Sequence, residues 1–277
     1  MRLITRLAFA ASLCTLAAAC GESVTEPLRT PQGANPIING TATGSSFGNV
    51  GALLVDFDGN GKIEGIDQDC TGSLISPTVF LTAAHCVEFL APGTTVYVSF
   101  DPTLMPAPKH VIASTAWTYD SRYGHDQANL YDLAVVILPK RATTGITPLK
   151  LPPAGYLDDL QAKGGLTSTD FVNVGYGTSA SATGIPNFGY DGVRKYSYSE
   201  FMGLQQYWLG LLMNANATGE GGDCYGDSGG PKFLKGRTDM VVATVTTGDY
   251  NCRATTWDYR LDTGSAREFL GRFVTLP

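Results

Sequence analysis

The sequence predicts an all-β chain, on three observations. Short runs of strand length, alternating or continuously apolar, recur at 51–56, 79–82, 94–100, 133–138, 195–201 and 240–246. Between them stand turn-forming stretches that draw on 33 glycines and 15 prolines. Clear helical spacing occurs once, close to the C-terminus. Many short strands joined by turns bury their apolar faces against one another as a barrel or a sandwich.

The N-terminus stands apart from that pattern. Arg2 and Arg6 precede an apolar run, 7–19, too short to cross a bilayer but of the length of a signal-peptide core, so residues 1–19 read as an export signal. Its removal takes two arginines and no acids, and the formal charge falls from −6 to −8. Such an acidic chain is no partner for nucleic acid. Of six cysteines Cys14 leaves with the signal, and five remain. Cys20, in Leu16-Ala17-Ala18-Ala19-Cys20-Gly21, resembles the acylated cysteine of a bacterial lipoprotein box, with leucine one position further away than usual. Ala17-Ala18-Ala19 also reads as an ordinary signal-peptidase site, so a lipid anchor at Cys20 in the cell envelope and free secretion both stand. Residues 20–36, with Pro27, Pro31, Gly33 and Pro36 and few apolar side chains, form a tether or propeptide, and the folded domain spans 37–277.

The first strand, 51–56, runs into Asp56-Phe57-Asp58-Gly59-Asn60-Gly61-Lys62-Ile63-Glu64-Gly65-Ile66-Asp67. That is much of a calcium-loop pattern, with Asp56, Asp58, Asn60 and Asp67 as candidate ligands and aspartate where the pattern wants glutamate. Its flanks are strands rather than helices, and the alternative is an acidic hairpin tip. No other cofactor is required. Residues 73–75 and 79–82 are short strands leading to His85; 94–100 alternates through Val96, Val98 and Phe100, and 109–115 follows the prolines at 102, 106 and 108. Residues 133–138 are continuously apolar, a buried strand with Asp132 at its mouth. Pro148, Pro152 and Pro153 with Gly155, Gly164 and Gly165 mark the crossing to a second half. There 171–177, 195–201, 206–213, 240–246 and 256–261 supply strands, and 178–192 is a mobile surface loop. The chain closes with a helix over about 264–274: Ser265-Ala266-Arg267-Glu268 is a capping box, and Ala266, Phe269, Leu270 and Phe273 share a face. His110 and His125 lie in no motif and read as surface residues, and no HExxH or paired CxxC points to a metal.

Most of the chemistry lies in Gly222-Asp223-Cys224-Tyr225-Gly226-Asp227-Ser228-Gly229-Gly230-Pro231. The glycines favour a sharp turn that exposes Ser228, and a backbone free to approach a substrate carbonyl lets the amides of Gly226 and Ser228 face one oxyanion. Gly-x-Ser-x-Gly also describes the nucleophile elbow of α/β-hydrolases, which place their histidine after the serine. His85, His110 and His125 all precede Ser228, and that reading fails. What remains is the order His, Asp, Ser, supplied by Leu81-Thr82-Ala83-Ala84-His85-Cys86 and Tyr131-Asp132-Leu133-Ala134-Val135-Val136-Ile137-Leu138. Imidazole is a base suited to a serine hydroxyl at neutral pH, and a carboxylate on its other ring N–H fixes the tautomer.

With these motifs, from about residue 37 to the C-terminus, the chain resembles the serine endopeptidases of the trypsin/chymotrypsin family, marked by T-A-A-H-C, D-[IL]-A-x-[VL]-x-L and G-D-S-G-G-P. The resemblance implies two packed six-stranded antiparallel β-barrels, about 37–150 and about 151–262, before the C-terminal helix. It implies catalytic His85, Asp132 and Ser228, an oxyanion hole from Gly226 and Ser228, disulfides Cys70–Cys86 and Cys224–Cys252, and a monomer that cleaves protein or peptide substrates. Phe171-Val172-Asn173-Val174-Gly175-Tyr176-Gly177 resembles the family's V-x-G-W-G with Tyr176 for tryptophan, and Thr246, for the family's serine, would brace Asp132. Ile37-Ile38-Asn39-Gly40 resembles the family's mature start, where a freed Ile37 ammonium pairs with Asp227. Pro36 stands in place of the usual basic residue, which calls for a separate activating protease.

The resemblance also frames specificity. Gly222 stands where trypsin-like members carry aspartate, and the carboxylate comes one residue later, at Asp223. With Thr246, Thr247 and Gly248 as walls, Asp223 favours Lys or Arg at the cleaved position, whereas Trp257 at the pocket would favour small side chains. The other function class is a silent, protease-like binding protein, which arises where triad residues are lost; none is lost here.

Overall fold

The computed structural model describes residues 37–178 and 189–277. The expected signal, the tether with Cys20 and most of the expected 178–192 loop lie outside the described residues. Two seven-stranded antiparallel sheets carry the architecture. β1 (Thr41–Ala42) belongs to the second sheet, where it pairs with a later strand. The first sheet is built from β2 (Val50–Leu54), β3 (Gln68–Ser76), β4 (Val79–Thr82), β5 (Tyr97–Ser99), β6 (Ile112–Ala113), β7 (Ala116–Tyr119) and β8 (Ala134–Ile137), in the order β6-β5-β2-β3-β4-β8-β7.

The second sheet takes β9 (Asp170–Gly175), β10 (Lys195–Leu204), β11 (Trp208–Leu212), β12 (Pro231–Leu234), β13 (Ala243–Gly248) and β14 (Thr255–Arg260). Its order is β1-β10-β11-β14-β13-β12-β9, and β9 pairs back onto β10. Six strands therefore close into a ring with β1 added outside it, whereas the first sheet has a seventh strand of its own. Closure removes the free edges that an open sheet exposes.

Three short helices complete the chain: α1 (Tyr156–Ala162), α2 (Ala215–Thr218) and α3 (Gly264–Leu270). α1 falls in the crossing that the prolines and glycines mark as irregular, with Asp158 and Asp159 in its first turn, where the helix dipole favours acids. α3 is capped by Thr263, whose side chain accepts from the Ala266 amide, and not by Ser265 as the capping-box pattern suggests. The expected face holds, with Ala266, Phe269 and Leu270 buried. They pack into one cluster with Val50, Leu81 and Val135 of the first sheet and Val172, Val174 and Phe233 of the second, so the two sheets share a core at their junction. Each also has its own filling, around Leu53, Phe80 and Val136 in the first and around Phe171, Leu209 and Val242 in the second.

Candidate active site

His85 and Asp132 are brought together by strand register. Thr82 at the end of β4 pairs with Ala134 at the start of β8, so the segments just beyond, Ala84–Cys86 and Tyr131-Asp132, face each other. Asp132 is fully buried. Its Oδ2 lies 2.8 Å from His85 Nδ1 and its Oδ1 accepts from the His85 backbone N at 3.0 Å, a two-point hold on ring and main chain. Burial disfavours the charged imidazole, but the Asp132 hydrogen bond and charge, with the charges of Asp69 and Glu88, outweigh it and hold the His85 pKa above its ordinary 6.5. The Cys70–Cys86 disulfide ties this turn to β3; with a sequence separation of 16 it contributes about 3 kcal/mol in the chain-entropy account.

Ser228 is half-buried in a turn that two glycines make possible. Gly226 has φ +93° and Gly229 has φ +75°, and a Cβ on Gly229 would fall 2.2 Å from Thr82 Oγ1. The carbonyl of Tyr225 accepts from Thr178 N at 2.7 Å and that of Asp227 from Gly230 N at 2.9 Å. In a trans peptide the N–H points opposite the carbonyl, so the amides of Gly226 and Ser228 are turned away from those partners. Among the described residues neither amide has a protein acceptor. His85 and Ser228 line one cavity of about 450 Å³, with no hydrogen bond between hydroxyl and ring among the described residues.

Asp227 is fully buried and accepts from Gly177 N at 2.8 Å and Cys224 N at 2.9 Å. Burial, then the nearby Asp223 charge, push its pKa well above the usual carboxylate range. Ile37 is also fully buried, and its neighbour Ile38 bridges to Gly222. Its nitrogen is a peptide amide to Pro36, and no hydrogen bond joins it to Asp227 among the described residues.

The pocket differs in two places from its expected lining. Asp223, Thr246, Thr247 and Gly248 line it, but Gly222 does not, because Met213 fills that side: a Cβ at Gly222 would meet Met213 Sδ at 2.3 Å. Trp257 faces Gly210 and Met202 instead of the pocket, and its neighbour Thr256 takes the inward place. Thr246 Oγ1 reaches toward Thr244 O at 3.5 Å, so it does not brace Asp132. The Cys224–Cys252 disulfide stands in the wall. Behind the floor Lys232 is fully buried, hydrogen-bonded to Asp223 Oδ2, to Asn173 Oδ1 at 2.7 Å, and 3.6 Å from Asp258 Oδ1. Among the described residues Asp223 Oδ1 and Asp258 Oδ2 have no hydrogen-bond partner.

A family profile described as Trypsin matches residues 54–260. The chain belongs to the trypsin family of serine proteases. It is 30% identical over 258 residues to Glucanase inhibitor protein 4 of Phytophthora infestans, covering 90% of each chain. To Brachyurin of Leptuca pugilator it is 31% identical over 190 residues, covering 63% of this chain and 74% of that one. In structure it is similar to HL collagenase, with a TM-score of 0.62 at 19% identity over 85% of this chain and 97% of the other, a likeness of fold.

Other parts of this trypsin-family domain were hidden from the sequence or lie elsewhere. The 56–67 loop turns its polar atoms on itself: Asp56 accepts from Asn60 N and Gly61 N, Asp58 from Asn60 N and Nδ2, and Asp67 from Glu64 N. Among the described residues three possible ligand atoms converge only at Cys70, His85 and Cys86, where both sulfurs are in the disulfide. His110 is exposed and paired with Asp101 at 2.8 Å; His125 is exposed. Tyr176 is buried, donating to Asp101 O at 2.8 Å. Lys232 and Met213 carry no motif, and only the burial of a lysine in a short strand could have signalled the first.

Proposed function

We propose that the chain is an exported serine endopeptidase in which His85, Asp132 and Ser228 act as one unit. The observation that carries this is the 2.8 Å contact between His85 Nδ1 and buried Asp132 Oδ2 at the edge of the cavity that His85 shares with Ser228. Held by Asp132, the ring presents Nε2 as a base to Ser228 Oγ. The hydroxyl attacks the scissile carbonyl as its proton passes to His85, and the oxyanion forms opposite the Gly226 and Ser228 amides. His85 then gives its proton to the leaving amine. Water, deprotonated by the same ring, hydrolyses the acyl-enzyme and frees Ser228.

The pocket reading is a basic side chain at the cleaved position. Asp223 lines the cavity, and its buried Oδ1 has no partner among the described residues, so a cationic donor that reached this carboxylate would satisfy it. Lys232 on the other oxygen tempers the attraction, so the preference is weaker than a free carboxylate would give. Activation would follow cleavage at Pro36-Ile37 by another protease, whose product amine neutralises Asp227.

A fluorophosphonate probe should label Ser228 in material beginning at Ile37 and fail in His85→Ala. Equal labelling of both, or of neither, overturns the reading. Absence of labelling favours the second reading, a protease-like binding protein, which the similarity to a glucanase inhibitor protein supports.

A further inference from the structure

We propose that Lys232 and Asp223 join covalently, the lysine side-chain nitrogen and the aspartate carboxyl forming an amide with loss of water. The inference goes beyond the protease reading and does not rest on it. It starts from the place of the lysine. Lys232 of β12 stands directly across from Asn173 of β9, and its Nζ donates to Asn173 Oδ1 at 2.7 Å and to Asp223 Oδ2. Asp258 Oδ1, on β14, lies 3.6 Å from the same nitrogen. Lys232, Asn173 and Asp258 are fully buried and Asp223 nearly so. In water an amine and a carboxylate stay apart as solvated ions. Enclosed and held in contact, they have lost the hydration that favours the ions and no longer need to find each other.

As an ion pair the cluster is incomplete. One cation faces two carboxyl groups, and each of these has an oxygen, Asp223 Oδ1 and Asp258 Oδ2, with no hydrogen-bond partner among the described residues. Burial pushes the Asp258 pKa well above the usual carboxylate range, against the pull of Lys232 and with the Asp223 charge adding to the rise. Asp258 is thus an acid that keeps its proton beside the reacting nitrogen. Asn173 acts as the clamp: its amide nitrogen donates to Ser197 Oγ at 3.0 Å and Ser199 Oγ at 2.7 Å, so the side chain is held at both ends and aims the lysine.

The step balances without a co-reactant. One proton passes from the Lys232 ammonium to the Asp223 carboxylate, leaving amine and acid. The amine lone pair forms the bond to Asp223 Cγ. A proton of that nitrogen passes to Asp258, the Asp258 proton passes to the departing Asp223 hydroxyl, and the C–O bond breaks to release water. Asp258 ends as it began, and one positive and one negative charge are lost. Asp223 lines the cavity of about 450 Å³, which gives the water a way out. The new bond closes a ring through 223–232, the segment that holds Ser228 with Gly226 and Gly229, and ties both ends of that turn. It also removes the Asp223 charge, so a basic preference at the cleaved position belongs to the chain before it bonds.

Intact-mass spectrometry of the folded full chain, kept at neutral pH and then reduced and denatured, tests this directly. We expect most chains to be lighter by one water than their sequence requires. Tryptic digestion should give a peptide that runs uncut through Lys232 to Lys235, lighter by the same water, with no fragment ions from within 223–232. Lys232→Arg should restore the full mass, and Asp258→Asn should slow the loss of water. A wild-type chain of full mass overturns the bond. So does a water loss that survives Lys232→Arg or reverts in mild base, which marks a succinimide. Loss of ammonia in place of water would assign the bond to Asn173 and overturn the role of Asp223. The mass readout needs no proteolysis, so its failure leaves the protease reading where it stands.

Discussion

At the scale of single residues the decisive groups are ones whose charge the fold has altered. If His85 is the base, only its neutral ring can take a proton, and kcat/KM should rise as pH passes upward through its pKa. Because Asp132, Asp69 and Glu88 raise that pKa, the acid limb of the pH–rate profile should lie above 6.5. Asp132→Asn should lower kcat by about 10⁴-fold, because the amide no longer enforces the tautomer. It should also move the acid limb down. Lys232 gives a second residue-scale prediction. It is the cation between Asp223 and Asp258, and Lys232→Met leaves two buried carboxylates facing each other. We expect a loss of about 3–5 kcal/mol in chemical denaturation, most of it recovered when Asp223→Asn is added. Additive losses would show that the charges are not coupled.

At the scale of elements the site depends on close backbone approaches. Gly229→Ala combines an unfavourable φ with a contact into Thr82 Oγ1, on the strand that leads to His85. It should abolish Ser228 labelling while circular dichroism still reports sheet. What the sequence makes legible here is whatever has one dominant period. β8 is continuously apolar and reads as a buried strand, and the apolar stripe of α3 reads as a helix face. The misses have local causes. β1 is two residues long, below any periodic signal. α1 lies among prolines and glycines that mask it. β12 starts at a proline and places Lys232 where alternation would turn a lysine to solvent, yet all four of its residues are buried inside a closed ring. Trp257 shows how fine the margin is: side chains alternate along β14, so a one-residue slip exchanges Trp257 for Thr256 at the pocket. The His85–Asp132 contact comes from pairing β4 with β8, a long-range register to which the motifs give only the ends.

At the scale of the whole molecule, uncleaved and cleaved chains should differ in how stability responds to pH. Asp227 and Asp258 have folded pKa values raised above 3.8, chiefly by burial. The native state therefore holds protons that the unfolded chain has released, and stability falls as pH rises above the unfolded value toward the folded ones. Cleavage before Ile37 would give Asp227 an ammonium partner and flatten its share of that slope. Urea midpoints from pH 4 to pH 8 for a chain keeping residues 20–36 and one starting at Ile37 measure the difference, and parallel slopes would exclude the pairing.

The lysine behind the pocket belongs to the barrel interior as much as to the cleft. If Asp223 sets what the cleft takes, an exchange at 223 alone would leave the Lys232 amine, out of reach of water, with only Asn173 Oδ1 at 2.7 Å and the Asp258 carboxylate at 3.6 Å to hold it. Drift in what this protein recognises should then advance by paired exchanges, with 223, 232 and 258 changing in step while the exposed rim varies freely.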